Sequence, residues 1–437
     1  MKKYSILLFF LVSTFISRSQ SLYFPPLTGN TWDTISPASL GWCQDKLDTL
    51  LDYLESKNSK AFILLKDGKI VVERYYGTFT QDSLWYWASA GKSLTAFMVG
   101  IAQQENYLSI SDTTSDYLGQ GWTNCTQSQE EKITIRNQLT MTSGLDDGVP
   151  DNYCTIDSCL IYLADAGTRW AYHNAPYTLL DGVIENATGL SLNTYVNQKL
   201  KIPTGMNGAF ITSGYNNVFI STPRSMARFG LLILNRGNWN GTAIMTDSVY
   251  FNAMTNSSQA LNDSYGYLWW LNGKASYMVP GLQFVFPGSL NPHAPNDMIA
   301  ALGKNGQFIN VVPSQNLVYI RMGDAPGVGE VPFTINDTIW QKLNDVMCGT
   351  TSISSSLETI ENPILYPNPS KTQCTVRLKN ESFNMILFDS SGRIIRKVDN
   401  CFDTVILDNK HLTKGIYFLQ LNSLDGKTFS QKYIVGE

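Results

Sequence analysis

Histidine is scarce in this chain: 437 residues hold only His173, His293 and His411. No Cys/His cluster has the spacing of zinc ligands, so neither a metal site nor a metal cofactor is expected. Charge is sparse too. Charged residues make up 16% of the chain, the formal net charge is −4, and no basic stripe runs along the sequence. That balance argues against a nucleic-acid partner. After the N-terminus no apolar run reaches spanning length, so no integral membrane segment is expected. The seven cysteines are an odd number, which leaves at least one unpaired in an oxidising compartment.

What is present begins with Met1-Lys2-Lys3, then the apolar run Ile6 to Val12, then small and polar residues to Gln20. A basic start, a short apolar core and a polar exit describe a secretory signal peptide over 1–20. Export then permits disulfides. Cys154 and Cys159 are close enough to bridge locally, Cys374 and Cys401 fall within one small C-terminal unit, and Cys43 and Cys348 lie near the two ends of the central region. Aromatics reach 12%, which suits a secreted globular protein with an aromatic-lined cleft.

Along the chain, Leu47, Leu50, Leu51 and Leu54 recur at helical spacing after a start at Ser36-Pro37. Two β-rich runs, 61–65 and 70–76, flank Asp67-Gly68 and predict a hairpin. Residues 93–290 read mostly as helices and long loops, with helices over 177–186 and 224–234. Strands are predicted at 298–302, 307–312 and 317–321, and a closing helix at about 336–346. Two strands early, three late and helices between describe an α/β (α+β) fold: a five-stranded antiparallel sheet flanked by helices, with an inserted helical domain. A polar linker over 349–362 follows. Short β-runs from 363 to 437 then predict a small β-sandwich-like domain, which leaves 21–348 as the main domain.

Chemistry concentrates in three places. In Trp87-Ala88-Ser89-Ala90-Gly91-Lys92, residues 89 and 92 share one face of a helix, so the Lys92 amine can reach the Ser89 hydroxyl. Serine is a poor nucleophile until a base takes its proton, and lysine is such a base only when neutral. About one or two chance S-x-x-K matches are expected at this length, and this is the single one present. The second place is Tyr172-His173-Asn174, just ahead of a helix. A phenol with its pKa lowered by nearby lysines would shuttle protons, and the amide would orient the lysine or a carbonyl. Y-x-N also occurs at four other positions, so the pair gains meaning only from its context. The third is Lys304-Asn305-Gly306-Gln307, leading into a strand. Lys304 supplies positive charge expected to depress the pKa of Lys92 and Tyr172. Gly306 allows close approach to the backbone, and the Gln307 N–H with that of Ser89 is a candidate oxyanion hole.

With these motifs in this order, the segment 35–345 resembles the serine β-lactamase and penicillin-recognising superfamily, in its class C, esterase and 6-aminohexanoate-dimer-hydrolase-like branch. Leu139-Thr140-Met141-Thr142-Ser143-Gly144-Leu145, Ile202-Pro203-Thr204-Gly205-Met206 and Met226-Ala227-Arg228-Phe229-Gly230 resemble landmarks of that family. The resemblance implies Ser89 as acylated nucleophile, Lys92 as its base, Tyr172 as second proton shuttle, Asn174 as polar positioner and Lys304 as electrostatic contributor. It implies a small-molecule or peptide-like acyl substrate. One departure stands out: the third box of the family usually reads K-T-G or H-x-G, and here it is Lys304-Asn305-Gly306, so the missing threonine changes how a substrate carboxylate would be held. Tyr366-Pro367-Asn368-Pro369, Ser391-Gly392-Arg393, Lys414-Gly415-Ile416-Tyr417-Phe418 and Lys432-Tyr433-Ile434-Val435 resemble a type IX secretion sorting domain. That likeness implies the type IX machinery as partner and a secreted or cell-surface destination by way of the periplasm. A small partner- or carbohydrate-binding module is the other reading of the tail.

Overall fold

The computed structural model describes residues 22–327, 331–348, 363–390, 392–423 and 428–436. The expected signal peptide and linker lie outside them. Chain order sets the main elements: α1 (Gln44–Ser56), β1 (Ser59–Lys66), β2 (Lys69–Tyr75), α2 (Gly91–Gln104), α3 (Asn174–Thr178), α4 (Leu180–Thr188), α5 (Pro223–Leu234), β3 (Trp270–Leu271), β4 (Ile299–Gly303), β5 (Gln307–Val312), β6 (Leu317–Gly323) and α6 (Phe333–Val346). The strands form one antiparallel sheet in the order β2-β1-β6-β5-β4-β3. The five expected strands are all there. A sixth, two residues long, is added at the edge by Trp270 and Leu271, whose ladder with β4 is too short to leave a periodic signal.

The hairpin turns where expected because Asp67 (φ 52°) and Gly68 (φ 81°) both accept positive φ, as a two-residue turn between twisted strands requires. Strands β5 and β6 are buried along their whole length, since helices cover both faces. Ile309 and Val318 face α5, where a side chain at Gly230 would meet Val318 Cγ1 at 2.6 Å, so glycine lets helix and sheet close up. Asn310 and Tyr319 face the other way, toward α6. Trp340 donates its indole N–H to Asn310 Oδ1 (3.1 Å), and the Tyr319 hydroxyl donates to Asn336 Oδ1 (2.6 Å). Helices α1 and α6, the first and last, pack together here, as the sequence led us to expect, and a Cys43–Cys348 disulfide ties their ends.

Helix α2 is buried from Gly91 to Ala102 on every side. It needs no amphipathic face because sheet and inserted helices surround it. The helix expected at 177–186 is two pieces, α3 and α4, the second stopped by Gly189 in the left-handed conformation (φ 69°).

The tail is a second β-rich unit of β7 (Ile364–Tyr366), β8 (Gln373–Phe388), β9 (Ile394–Asp408), β10 (Gly415–Ser423) and β11 (Thr428–Val435). Its runs at 374–378 and 385–388 are one long strand. A staple between Cys374 and Cys401 does not form, and both are buried free thiols. The register explains why: Cys374 pairs opposite Leu407 and Cys401 opposite Phe383, so the two cysteines sit about 20 Å apart along one ladder. Cys154 and Cys159 do bridge.

Candidate active site

Ser89 lies in a single 3₁₀ turn, Ala88–Ala90, that runs directly into α2. The turn is pinned from behind by the buried Trp87. Its backbone N–H donates to Phe219 O (2.8 Å) and its indole N–H to Ser221 Oγ (2.8 Å). Ala88 adopts φ 46°, a conformation that costs a residue with a Cβ about 1–2 kcal/mol. Such strain beside a serine is a mark of a shaped site.

Lys92 stands one turn on, in the first turn of α2. Its Nζ lies 2.9 Å from Ser89 Oγ and 2.8 Å from Asn174 Oδ1. It also rests 3.9 Å from the ring centre of Tyr177 and 5.0 Å from that of Tyr172. Burial holds its pKa well below the ordinary 10.5, and no carboxylate among the described residues pairs with it. The Tyr172 phenol moves the opposite way. Burial raises its pKa far above 10, while the neighbouring Ser89 hydroxyl pulls it back in part. Both directions follow from one cause, because a water-poor site disfavours whichever form is charged. The lowered phenol expected from the sequence is therefore corrected. Lys304 is exposed on the open side of the cleft, where water screens its charge, and burial takes the part assigned to it.

The Leu139–Leu145 segment explains how Tyr172 is held. Its carbonyls receive the N–H groups of the following loop: Leu163 and Ala164 donate to Gly144 O, Gly167 to Thr142 O, and Ala171 to Met141 O, at 2.8–3.1 Å. Tyr172 follows directly, then His173, then Asn174 at the start of α3.

Ser89, Tyr172, Asn174 and Lys304 line one cavity of about 350 Å³ with Asn152 and Tyr153, and Val279, Pro280, Val331 and Phe333 give it an apolar wall. Lys92 lies beneath it. Gly306 and Gln307 are buried behind it and do not line it. The group that approaches Gly306 closely is the Arg321 guanidinium, which donates to Asn305 O (3.0 Å) and Gly306 O (2.7 Å) and so clamps the turn. The Gln307 side chain is fully engaged, donating to Gly323 O (2.7 Å) and Lys304 O (3.2 Å) and accepting from the Gly323 N–H (3.0 Å). Asn305 (φ 62°) turns its amide away, donating to the Tyr86 hydroxyl (2.8 Å). A larger cavity of about 630 Å³ beside the Cys43–Cys348 bridge contains no nucleophile–base pair, so its size carries no weight here. Trp87, Trp269 and Trp270 are core residues, and the cleft wall comes from elsewhere. Among the described residues no group of three or more His, Cys, Asp or Glu could hold a metal ion.

The sequence reading missed Asn152, Tyr153, Tyr177 and Arg321. Tyr177 carried a signal, since it falls three residues after Asn174 on a helix and so shares its face. Arg321 carried none.

Comparison with known proteins decides the family. The β-lactamase family model matches residues 54–331, more than half of the chain. The chain belongs to the β-lactamase family. Its members are serine hydrolases of esterase, amidase and penicillin-binding types. A second model, the secretion system C-terminal sorting domain, matches residues 364–436, so this β-lactamase family protein carries a tail that implies export to the surface or medium. An uncharacterized protein of Alkalihalophilus pseudofirmus is 24% identical over 318 residues, 64% of this chain and 87% of its own. Among solved structures, a candidate 6-aminohexanoate-dimer hydrolase from Bacillus anthracis superposes with a TM-score of 0.54 at 19% identity, covering 74% of this chain and 87% of that one. A family VIII carboxylesterase gives 0.51 at 14% identity, over 69% and 98%. These likenesses establish the shared fold. No helix of the described residues is long and apolar enough to cross a membrane.

Proposed function

We propose that this protein is an exported serine hydrolase that opens an ester or amide bond through an acyl-enzyme on Ser89. The observation that carries the reading is the 2.9 Å contact between Ser89 Oγ and a buried lysine with no carboxylate to hold its proton. Neutral Lys92 takes the Ser89 proton as Oγ bonds to the substrate carbonyl carbon. The oxyanion is received by the backbone N–H groups of Ser89 and Gln307. Tyr172, which keeps its proton because ionising it in a dry site is costly, passes that proton to the departing oxygen or nitrogen. The Lys92 ammonium then gives its proton to the Tyr172 phenolate, which restores the neutral lysine and the phenol. Water then repeats the sequence against the acyl carbon, and the acid leaves.

The apolar wall and the Asn305 amide tied to Tyr86 favour acyl groups without a carboxylate. A second reading is β-lactamase or D-alanyl-D-alanine carboxypeptidase activity, favoured by the Lys304 ammonium at the cleft mouth. A third, a non-catalytic penicillin-recognising module, is disfavoured by the joined Ser89, Lys92 and Asn174. Residues 21–348 form the hydrolase domain and 363–437 the sorting domain, which engages the type IX machinery after a signal peptide directs export.

The test is a substrate panel of p-nitrophenyl esters, anilides, benzylpenicillin and a D-alanyl-D-alanine peptide, run on wild type and Ser89→Ala. Ester or anilide turnover by wild type, lost by about 10³-fold or more in a folded Ser89→Ala, is the expected result. Turnover that survives the substitution would sink the assignment.

A further inference from the structure

Asn152 touches the site in a way that its place in a long loop does not suggest. The loop is pinned at its ends, where Leu145 and Tyr162 form a β-bridge, and the Cys154–Cys159 disulfide closes it just past Asn152. Asn152 meets α3 twice. Its backbone O accepts the Ala175 N–H (2.9 Å), and its side-chain Oδ1 accepts from Asn174 Nδ2 (3.0 Å).

The second contact bears on the lysine. The two ends of an amide are nearly equal in shape and opposite in hydrogen bonding. A neutral lysine has one lone pair, and to take the Ser89 proton that lone pair must face Ser89. Every other partner of Nζ must then be an acceptor. Asn174 meets that need while its Oδ1 faces Lys92. Turned over, it would offer N–H groups that compete with Ser89 for the lone pair. With Asn152 Oδ1 behind it, the turned amide would also set two carbonyl oxygens against each other.

We propose that Asn152 is a positioning residue that holds the Asn174 carbonyl toward Lys92 and so reserves the lysine lone pair for the Ser89 hydroxyl. This rests on the acyl-enzyme reading above. Asn152 acts through Asn174 and takes no part in bond making.

The test uses the full chain with Asn152→Leu, which keeps the bulk and removes the acceptor, and Asn152→Asp, which is an acceptor only. Measurements are kcat and KM on a p-nitrophenyl ester across pH, the rate of fluorophosphonate labelling, and thermal unfolding as a folding control. Asn152→Leu should lower kcat and the labelling rate together by about 10-fold to 100-fold, with a smaller change in KM. Asn152→Asp should recover most of that loss. It should also move the acidic limb of the pH profile upward, because a nearby carboxylate favours the lysine ammonium. Wild-type labelling in Asn152→Leu would overturn the proposal, as would an equal fall in both variants with the limb unmoved. If Asn152→Leu does not fold, Asn152→Asp decides alone: a rate within a few-fold of wild type with the limb moved upward is expected, and a large fall with the limb unmoved would overturn the proposal. A wild type that takes no label fails the acyl-enzyme reading instead, which keeps the two failures apart.

Discussion

Gly303 is the last residue of β4, and a methyl group there would press on the nucleophile turn. A Cβ at this position would lie 2.5 Å from Trp87 O, 3.0 Å from Ala90 N and 3.2 Å from Gln307 Cβ, where ordinary contact begins near 3.4 Å. The backbone itself would tolerate alanine, since φ is −123°. The effect of Gly303→Ala is therefore steric. To relieve the shortest contact, the turn carrying Ser89 must move about 0.9 Å from β4, and Gln307, whose Cβ also meets the new methyl group, is displaced with it. Overpacking of this kind costs about 1–3 kcal/mol of stability, which a protein with this core survives. Catalysis should suffer more, because a misplacement near 1 Å costs up to about 100-fold. We expect kcat/KM on a p-nitrophenyl ester and the fluorophosphonate labelling rate to fall together by about 10-fold to 100-fold, with a cooperative melt retained. Gly91→Ala is the matched control, since its Cβ meets Phe219 Cβ at an ordinary 3.5 Å. A folded Gly303→Ala that acylates at the wild-type rate would refute the placement of β4 against the Ser89 turn.

Three further predictions concern stability. Burial lowers the His173 pKa from 6.5 to about 4, so its contribution is fully present above pH 6.5 and is lost as pH falls toward 4, by at most roughly 3 kcal/mol. Burial raises Asp181 from 3.8 to about 7, so its contribution is present at low pH and is lost as pH rises toward 7, by at most roughly 4 kcal/mol. In urea unfolding at stepped pH, Asp181→Asn should therefore gain on wild type as pH rises from 4 to 7, and parallel curves would contradict this. The Cys43–Cys348 bridge joins residues 305 apart in sequence, and chain entropy assigns such a loop about 5–6 kcal/mol. Cys43→Ala with Cys348→Ala should lower stability by up to that amount with little change in kcat, and an unchanged unfolding midpoint would contradict it.

Most of the sheet was legible because its strands are either long apolar runs or flank an Asp-Gly turn. β3 was not, because two residues carry no period and its pairing is decided by β4. The tail hid its architecture differently: β8 is one strand whose ladder shifts between Leu378 and Ser382, and the shift breaks the pattern into two apparent runs. In the site, Ser89 and Lys92 are three residues apart, so spacing alone put them on one face. Asn152 and Arg321 act through contacts made only in the fold. The sense of the Tyr172 shift was hidden for a related reason. Sequence names the charges available to act on a phenol, but burial, which depends on the whole packed cleft, dominates here.

The central claim is that Ser89 is an activated nucleophile. Intact-mass measurement after incubation with a fluorophosphonate and, separately, with benzylpenicillin, on wild type and Ser89→Ala, tests it most directly. The account predicts one fluorophosphonate adduct per chain, mapped to the peptide holding Ser89 and absent from the variant. A penicillin adduct at the same residue would extend the substrate range to β-lactams. A folded wild type that gains no mass with either reagent, or an adduct that persists in Ser89→Ala, would contradict the account.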